Sequence, residues 1–362
     1  MWAYVSDMSE FQTAQRIYDR LRDRGTPVSL PTVYRTLAAW AGSGDLDHIT
    51  TDGQIAYRRC SADHHHHLVC RSCGRTIELK DTPVEAWAAL VAQKYGFTDI
   101  THVTEITGLC PTCQHARSAH DSMIDQALDF LDDRVFYADM IGLVTRGESI
   151  IAAGPTGVLV QNSDGTYMMA SADEQSARNL LDLIDPDHCD CIVVHEDSTI
   201  GLVEQRFGFD RHTRCIASAY LGDPLPQSER TDIRVQPLTP QWVDLVSENY
   251  NLDGPDYIRT RIDAGEMWGA FHGNDLTGFI GLHEEGSMGM LVVLDQYRRH
   301  GIAEYLVIDL ANRMIAQSLT PHDHIIVGNL ASEALQRKLG FSISTRTLTW
   351  MSRGNRGPSS QA

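Results

Sequence analysis

Two Cys-x-x-Cys pairs and a run of four histidines are the residues in this chain whose types and spacing predict chemistry. Cys70 and Cys73 form the first pair, Cys110 and Cys113 form the second, and His64–His67 shortly precedes the first pair. Each pair directs two thiolates toward one point, and two such pairs supply the ligands of a closed, tetrahedral zinc site. The sequence therefore predicts a zinc site made by these cysteines.

The histidine run predicts further metal ligands beside this zinc site. Side chains alternate between the two faces of a strand, so His64 and His66 would point one way and His65 and His67 the other. One run can therefore supply two separate metal sites. The alternatives are a solvated histidine run and an expression tag. The internal position of the run, next to the apolar Leu68–Val69, disfavours a tag.

The composition is that of a globular protein with room for two or three domains. Of 362 residues, 42% are hydrophobic and 22% are charged, and no apolar run reaches the length of a membrane span. The first residues, Met-Trp-Ala-Tyr, lack the basic and apolar segments of a secretory signal. The Cys-x-x-Cys spacing favours a reducing compartment. We therefore expect a cytoplasmic protein without a membrane partner.

The net charge of −18 is unevenly distributed along the chain. Residues 1–115 carry 11 Lys and Arg against 13 Asp and Glu, so nearly all of the acidic excess lies in residues 116–362. A chain this acidic is not a general nucleic-acid binder. Five arginines cluster near the N-terminus, where they either meet a phosphate backbone or form an ordinary solvated helix face. They are Arg16, Arg20, Arg22, Arg24 and Arg35.

Residues 1–61 have the element order of a winged helix-turn-helix domain. Thr13 and Ser29 are placed to cap two successive helices. Two short strands, Leu46–Ile49 and Ile55–Arg58, follow these helices. In this class of domain the second helix enters the major groove of DNA.

The rest of the chain is predicted to be mixed α/β. Residues 62–115 form a small zinc-binding α/β domain that the Cys-x-x-Cys pairs bracket, and residues 114–122 have the composition of a linker. Two longer segments, 123–222 and 231–354, repeat the order helix, helix, three strands, helix, strand, which predicts two copies of one α/β fold. We expect residues 354–362 to be disordered.

Residues 10–113 resemble the ferric-uptake-regulator family, most closely its zinc-uptake-regulator branch. The similarity lies in the strings LPTVYRTL, AYRRCSADHHHHLVCRSCGRTIEL and FTDITHVTEITGLCPTC. The resemblance implies a zinc-responsive regulator that binds a double-stranded DNA operator as a homodimer, through residues 62–113. It also implies that the four cysteines hold a structural zinc ion.

The same resemblance implies two more metal sites and a DNA-reading helix. The ligands of a regulatory site between two subdomains would be Asp47, Cys60, His65 and His67. The ligands of a further site would be His64, His66, Glu85 and His102. The residues that read DNA would be Thr32, Tyr34 and Arg35, although a tyrosine at this position alternatively packs in the core or in a dimer contact. Compared with the family, the DNA-binding domain is expected to be N-terminally short.

A second motif that predicts chemistry lies in residues 290–303. An apolar strand, Met290–Val293, leads into Arg298-x-x-Gly301-x-Ala303 and then into an amphipathic helix. A strand, a turn and a helix N-terminus in this order offer backbone N–H groups and a positive helix end to a pyrophosphate. The alternative is an ordinary strand-to-helix turn.

Together with Asn329 and Leu335–Phe341, this motif resembles the GNAT superfamily of acyl-coenzyme A N-acetyltransferases, over about residues 232–352. The resemblance implies acetyl-CoA-dependent transfer to an amine, in a tandem branch whose first copy is degenerate. The cofactor-binding residues would be Leu291, Val292, Val293, Arg298, Arg299, His300, Gly301, Ile302, Ala303 and Asn329. Glu285 is the candidate general base. Gln336 stands where many members have a tyrosine acid.

Three functions are open at this stage. The leading hypothesis is a zinc-responsive repressor of zinc-uptake genes fused to an N-acetyltransferase. A second is an acetyltransferase whose N-terminal module binds zinc and dimerises without binding DNA, which the short N-terminus favours. A third is a regulator whose GNAT-like domain binds acyl-CoA without catalysis, which Gln336 favours.

Overall fold

The structure of the protein, a computed structural model, has two compact units, Met1–His120 and Asp121–Ala362. It describes residues 1–8, 10–51, 54–59, 65–80, 83–102, 104–227, 230, 232–250, 252 and 254–353. In this described part of the chain, no helix combines the length and the apolar character needed to cross a membrane.

The first unit combines a small helical domain with a second, mixed α/β domain. Its elements are α1 (Trp2–Val5), β1 (Gln12–Thr13), α2 (Ala14–Asp23), α3 (Leu30–Gly42), β2 (Asp47–Thr51), β3 (Gln54–Arg58), β4 (His66–Cys70), β5 (Thr76–Leu79), α4 (Pro83–Tyr95) and β6 (Glu105–Gly108). Helix α5 (Pro111–Phe130) follows. The predicted linker, 114–122, contains the boundary between the two units, and its residues are helical. These residues are helical because no Gly or Pro interrupts the sequence after Pro111, which occupies the first turn.

The winged helix-turn-helix predicted for the start of the chain is confirmed. Thr13 caps α2, since its Oγ1 accepts the backbone N–H of Arg16 at 3.3 Å. Ile17 of α2 and Leu37 of α3 are fully buried against each other's helices in one core cluster. Strands β1, β3 and β2 form the antiparallel wing sheet, in that order.

The second part of this unit is a three-stranded sheet with one helix. Strand β4 lies in the centre, antiparallel to β5 and parallel to β6. The last strand, β6, begins at Glu105. Because β4 carries His66 and His67 and ends at Cys70, this central strand sets the positions of most candidate metal ligands.

The second unit consists of two segments that share the order helix, three strands, helix, strand, helix, strand, and the second segment has an additional strand and helix at its start. The first segment contains α6 (Ala138–Arg146), β7 (Ser149–Gly154), β8 (Gly157–Gln161), β9 (Tyr167–Ser171), α7 (Glu174–Leu181), β10 (Cys191–Val194), α8 (Ile200–Phe207) and β11 (Arg211–Ala219). The second contains β12 (Arg234–Pro237), α9 (Val243–Asn249), α10 (Pro255–Asp263), β13 (Met267–His272), β14 (Asp275–Leu282), β15 (Met288–Val293), α11 (Ile302–Ala316), β16 (His322–Ile326), α12 (Leu330–Lys338) and β17 (Ser342–Ser352). We call these segments the first and second blocks.

The two blocks exchange their last strands. The larger sheet has the order β7-β8-β9-β10-β17-β11-β16, and the smaller sheet has the order β12-β13-β14-β15. Strand β17 of the second block therefore lies between β10 and β11 of the first, and β11 lies between β17 and β16. The predicted boundary between 123–222 and 231–354 thus separates segments of the sequence and not separate sheets.

Candidate metal centres and candidate acyl-CoA site

The four cysteines of the two Cys-x-x-Cys pairs converge in the first unit. Their sulfur atoms all lie within 4.8 Å of one another, and Cys73 Sγ is 3.7 Å from Cys110 Sγ. The backbone N–H of Cys110 donates a hydrogen bond to Cys70 Sγ at 3.3 Å, and this bond together with those from Cys73 and Ser72 lowers the pKa of Cys70 to about 6. Four thiol groups at this spacing fit a tetrahedral zinc ion, which requires thiolate ligands.

A second cluster joins the wing to the central strand of the mixed α/β domain. Asp47 is the first residue of β2, whereas His65 and His67 belong to the β4 region. Asp47 Oδ2 is 2.6 Å from His65 Nε2 and 3.6 Å from His67 Nε2. Burial lowers the pKa of His67, which favours the neutral imidazole that binds metal ions. Cys60, the fourth ligand expected here, lies outside the described residues.

A third cluster forms on the opposite face of β4. His66 Nε2 is 2.8 Å from Glu85 Oε1 and 3.2 Å from His102 Nε2, and His102 Nε2 is 3.1 Å from Glu85 Oε2. His64, the fourth ligand expected here, lies outside the described residues. The predicted division of the histidines between two sites is therefore observed for His65, His66 and His67. One carboxylate and two imidazoles fit a zinc ion or a similar divalent ion.

Helix α3 presents a polar surface in the position of a DNA-reading helix. Tyr34 is 50% exposed, which excludes the alternative that it packs in the core of the chain. Arg35 is also exposed, and the hydroxyl of the partly buried Thr32 lies 2.8 Å from that of Ser29. The clustered arginines of α2 are exposed as well: Arg16, Arg20, Arg22 and, at the helix end, Arg24. Their exposure fits both alternatives, a surface that contacts phosphates and an ordinary solvated helix face.

In the second unit, β15 has the features of a strand that accepts a ligand along one edge. It is the edge strand of the smaller sheet, and β16, its neighbour in space, belongs to the larger sheet. Leu291, Val292 and Val293 therefore direct alternate backbone groups away from β14. Met290 has φ +52°, and the pairing with β14 shifts register at this point, which marks a bulge.

The loop after β15 leads into the N-terminus of α11. Arg298, Arg299, His300 and Gly301 are exposed, and Gly301 has φ +74° at the N-cap position. The left-handed backbone at Gly301 starts a helix of 15 residues whose first N–H groups are available to an anion. Asn329 caps α12, since its Oδ1 accepts the N–H of Ser332 at 3.2 Å.

The two blocks differ in the gap beyond their central strands, which are β9 and β10 in the first block and β15 and β16 in the second. Strands β9 and β10 are paired in parallel, with Val194 opposite Met169. Beyond this pair, a carboxylate oxygen of Glu196 accepts the backbone N–H of Ser171 at 2.9 Å. The corresponding position in the second block, two residues after the end of β16, is Gly328. A side chain therefore fills the gap in the first block, which also lacks the Arg-x-x-Gly-x-Ala loop.

The candidate base Glu285 lies in the hairpin between β14 and β15. It is only 4% exposed, and its carboxylate accepts a hydrogen bond from the hydroxyl of Ser287. Gln336 is 3% exposed and donates its side-chain N–H to Asp323, so it is a packing contact between α12 and β16. The side chain of Gln336 cannot serve as an acid or a base in place of Glu285, because an amide does not take up or release protons in the physiological range.

A buried polar cluster in the second unit was not predicted from the sequence. Asp139 of α6 is fully buried and lies 3.1 Å from His195 Nε2 and 3.2 Å from His324 Nε2. Trp350 donates its indole N–H to His324 Nδ1 at 3.1 Å. No local sequence pattern predicts this cluster, because its residues come from both blocks and lie far apart in the sequence.

A winged helix-turn-helix followed by a small sheet with three clusters of metal-binding side chains defines a class of metal-binding DNA-recognition proteins. The ferric uptake regulator family model matches residues 2–107. A zinc uptake regulation protein of Mycobacterium tuberculosis is 56% identical over 111 residues, which cover 30% of this chain and 85% of that protein. The chain belongs to the ferric uptake regulator family.

Further similarities concern both parts of the chain. A ferric uptake regulation protein of Synechococcus elongatus is 37% identical over 110 residues, covering 30% of this chain and 74% of that protein. The crystal structure of FurB, a zinc uptake regulator from M. tuberculosis, is 54% identical and covers 31% of this chain and 87% of that chain, with a TM-score of 0.19. The FR47-like protein model matches residues 269–351. The chain therefore carries an FR47-like, GNAT-type domain after its regulator domain.

Proposed function

We propose that the protein is a zinc-responsive DNA-binding repressor of zinc-uptake genes, fused to an acetyl-CoA-dependent N-acetyltransferase, and that it acts in the cytoplasm. The observation that carries the regulator function is the cluster of Asp47, His65 and His67, which has ligands on both sides of the joint between the wing and the mixed α/β domain. The similarity to a zinc uptake regulation protein supports zinc as the ion.

In this proposal zinc acts by selecting one orientation of the wing. An ion held by Asp47 together with His65 and His67 links two subdomains and stabilises the arrangement in which they lie close together. Binding that favours one conformation shifts the population toward it. The cluster of His66, Glu85 and His102 holds a further ion, and the four cysteines hold a structural one. The exposed Tyr34 and Arg35 of α3, with Thr32 beside them, then read the operator, aided by phosphate contacts of the arginines in α2.

The DNA-binding species is proposed to be a homodimer. The mixed α/β domain exposes a set of large apolar side chains that a monomer would leave in water: Ile77, Trp87, Leu90, Val91, Tyr95, Phe97, Ile100 and Ile106. So many exposed large apolar side chains in one small domain are typical of a protein–protein interface. A second copy that covers it would place two reading helices on a palindromic operator.

The C-terminal function is acetyl transfer from acetyl-CoA to an amine. The backbone of Leu291–Val293 would bind the pantetheine arm, and the loop Arg298–Ala303 with Asn329 nearby would hold the pyrophosphate end. The amine nitrogen attacks the thioester carbonyl, a C–N bond forms, and the C–S bond breaks to release coenzyme A as a thiolate. Glu285 takes the proton that the amine loses. The acidic surroundings of this unit favour a cationic amine.

A DNA selection with the full-length protein, with zinc and with a chelator at fixed salt, tests the regulator function. Enrichment of one palindrome only in the presence of zinc is the expected result. Absence of enrichment in both conditions would reject DNA binding and favour an acetyltransferase with a zinc-binding dimerisation module. Acetyl-CoA calorimetry and turnover with a panel of amines test the other half. Binding without turnover would favour an acyl-CoA effector domain, which Gln336 also supports.

A further inference from the structure

The hairpin His283–Ser287, which joins β14 to β15 and carries Glu285, is held from two directions. Arg261 of α10, in the same block, donates its Nε–H to the carbonyl oxygen of Leu282 at 2.9 Å. Its Nη1 also lies 3.8 Å from Glu284 Oε1. On this side the second block supports its own hairpin, as expected for a loop next to an active site.

The other support comes from the first block. Arg146, at the end of α6, donates an Nη2–H to the carbonyl oxygen of Glu285 at 2.7 Å, across 139 residues of sequence. The carboxyl group of Asp164, in the turn between β8 and β9, interacts with that of Glu284 and raises the pKa of Glu284. The hairpin with the candidate base is therefore attached at two consecutive residues to the block that lacks a cofactor loop.

Gly286 is shaped to admit this arginine. Its φ is +91°, a left-handed conformation that favours glycine. A Cβ atom at this position would lie 2.1 Å from Arg146 Nη1. The guanidinium of Arg146 thus lies directly against the backbone of the hairpin, and only a residue without a side chain leaves room for it.

We infer that Arg146 of the first block is a positioning residue for Glu285, so that the degenerate block completes the acceptor side of the acetyl-transfer site. This inference rests on the proposed acetyltransferase function. A guanidinium bonded to the main chain of Glu285 limits how far the carboxylate can move from the amine. The first block retains no cofactor site of its own, yet the second block depends on it for the geometry of its base.

The variants Arg146→Ala and Arg146→Lys, made in the full-length protein, test this role. The matched control is Arg178→Ala, which removes an exposed arginine of the first block whose ion pair among the described residues is with Glu174 on its own helix. Three quantities are measured: amide hydrogen exchange of residues 283–287, the Kd for acetyl-CoA, and kcat and KM for acetyl transfer to spermidine and to a panel of primary amines.

We expect Arg146→Ala to speed hydrogen exchange in the hairpin and to lower kcat by up to about 100-fold, the cost of misplacing a catalytic group by about 1 Å. The Kd for acetyl-CoA should stay the same, guanidinium ion should partly restore kcat, and Arg146→Lys should be less impaired. The control should behave as wild type. Unchanged exchange in the hairpin, or a loss of stability with kcat intact, overturns the inference.

Failure of the proposed function is a separate result. If the wild-type protein binds no acetyl-CoA or acetylates none of the amines, the acetyltransferase proposal fails. The exchange rates of residues 283–287 then decide alone whether Arg146 holds the hairpin: unchanged rates in Arg146→Ala overturn the inference, and faster rates support the contact.

Discussion

The carboxylate of Asp47 lies 2.6 Å from His65 Nε2, although the two residues belong to different subdomains of the first unit. Asp47 stands at the start of the wing, and His65 directly precedes the central strand of the mixed α/β domain. A second contact crosses the same joint, because Arg58 of the wing lies 3.4 Å from Glu78 of β5. The Asp47–His65 contact is therefore where a bound ion would bear on the orientation of the wing.

Asp47→Ala should uncouple DNA binding from zinc. Removing this carboxylate leaves no ligand on the described part of the wing, so zinc can no longer favour one orientation. We expect zinc to increase operator affinity about 10-fold less than in wild type, within the usual range of coupling between two sites. Fluorescence anisotropy with and without zinc measures this effect. Asp45→Ala, an exposed neighbour bonded to Ser43, is the control and should keep the full response.

Gly301→Ala should weaken acetyl-CoA binding. The φ of +74° at this position costs a residue with a Cβ atom about 1 kcal/mol, so the start of α11 should relax away from the pyrophosphate. We expect the Kd to rise about 10-fold by calorimetry. Gly273→Ala is a matched control, because Gly273 has φ +62° in the turn between β13 and β14. Equal Kd values for the two variants would argue against the predicted cradle.

Glu284→Gln should flatten the pH dependence of stability. The neighbouring carboxyl group of Asp164, followed by burial, raises the pKa of Glu284 to about 8 from its ordinary value of 4.5. Arg261 opposes this shift, and Glu285 adds to it. A raised pKa in the folded state means that the stabilisation is complete below about pH 4.5 and is lost as the pH rises toward 8.

The free energy of unfolding, measured in urea at several pH values, shows this effect. The wild-type value should fall between about pH 4.5 and 8 by more than that of Glu284→Gln. The exposed Glu174→Gln serves as the control and should keep the wild-type slope. Parallel curves for wild type and Glu284→Gln would show that the two carboxyl groups do not share a proton.

Asp139→Asn should be strongly destabilising. Although burial raises the pKa of the Asp139 carboxyl group, the neighbouring His195 and His324 hold it well below its ordinary value, and Asp139 forms a fully buried pair with His195. Loss of one partner from such a pair costs about 3–5 kcal/mol. Urea unfolding measures this loss. The exposed Asp132→Asn is the control, and a loss below about 1 kcal/mol would contradict the predicted contribution of this buried contact.

The candidate metal centres of the first unit could be predicted from the sequence because their ligands lie close together along the chain. A Cys-x-x-Cys turn brings its own thiol groups together, and strand alternation by itself separates His66 from His65 and His67. The winged helix-turn-helix was predictable for a similar reason, since the caps and apolar spacing of α2 and α3 are local signals. The strand-turn-helix around Gly301 also depends on adjacent residues.

What only the tertiary structure decided is the relationship between the two blocks. The order of elements predicted from the sequence contains β10 and β16 but ends before β11 and β17, and local periodicity carries no information about which strand pairs with which. The pairing of β11 with β16 brings His324 to Asp139, and folding of the same unit brings Arg146 to Glu285. These contacts join residues far apart in the sequence. They depend on pairing energies summed over whole strands, so no motif around either partner could reveal them.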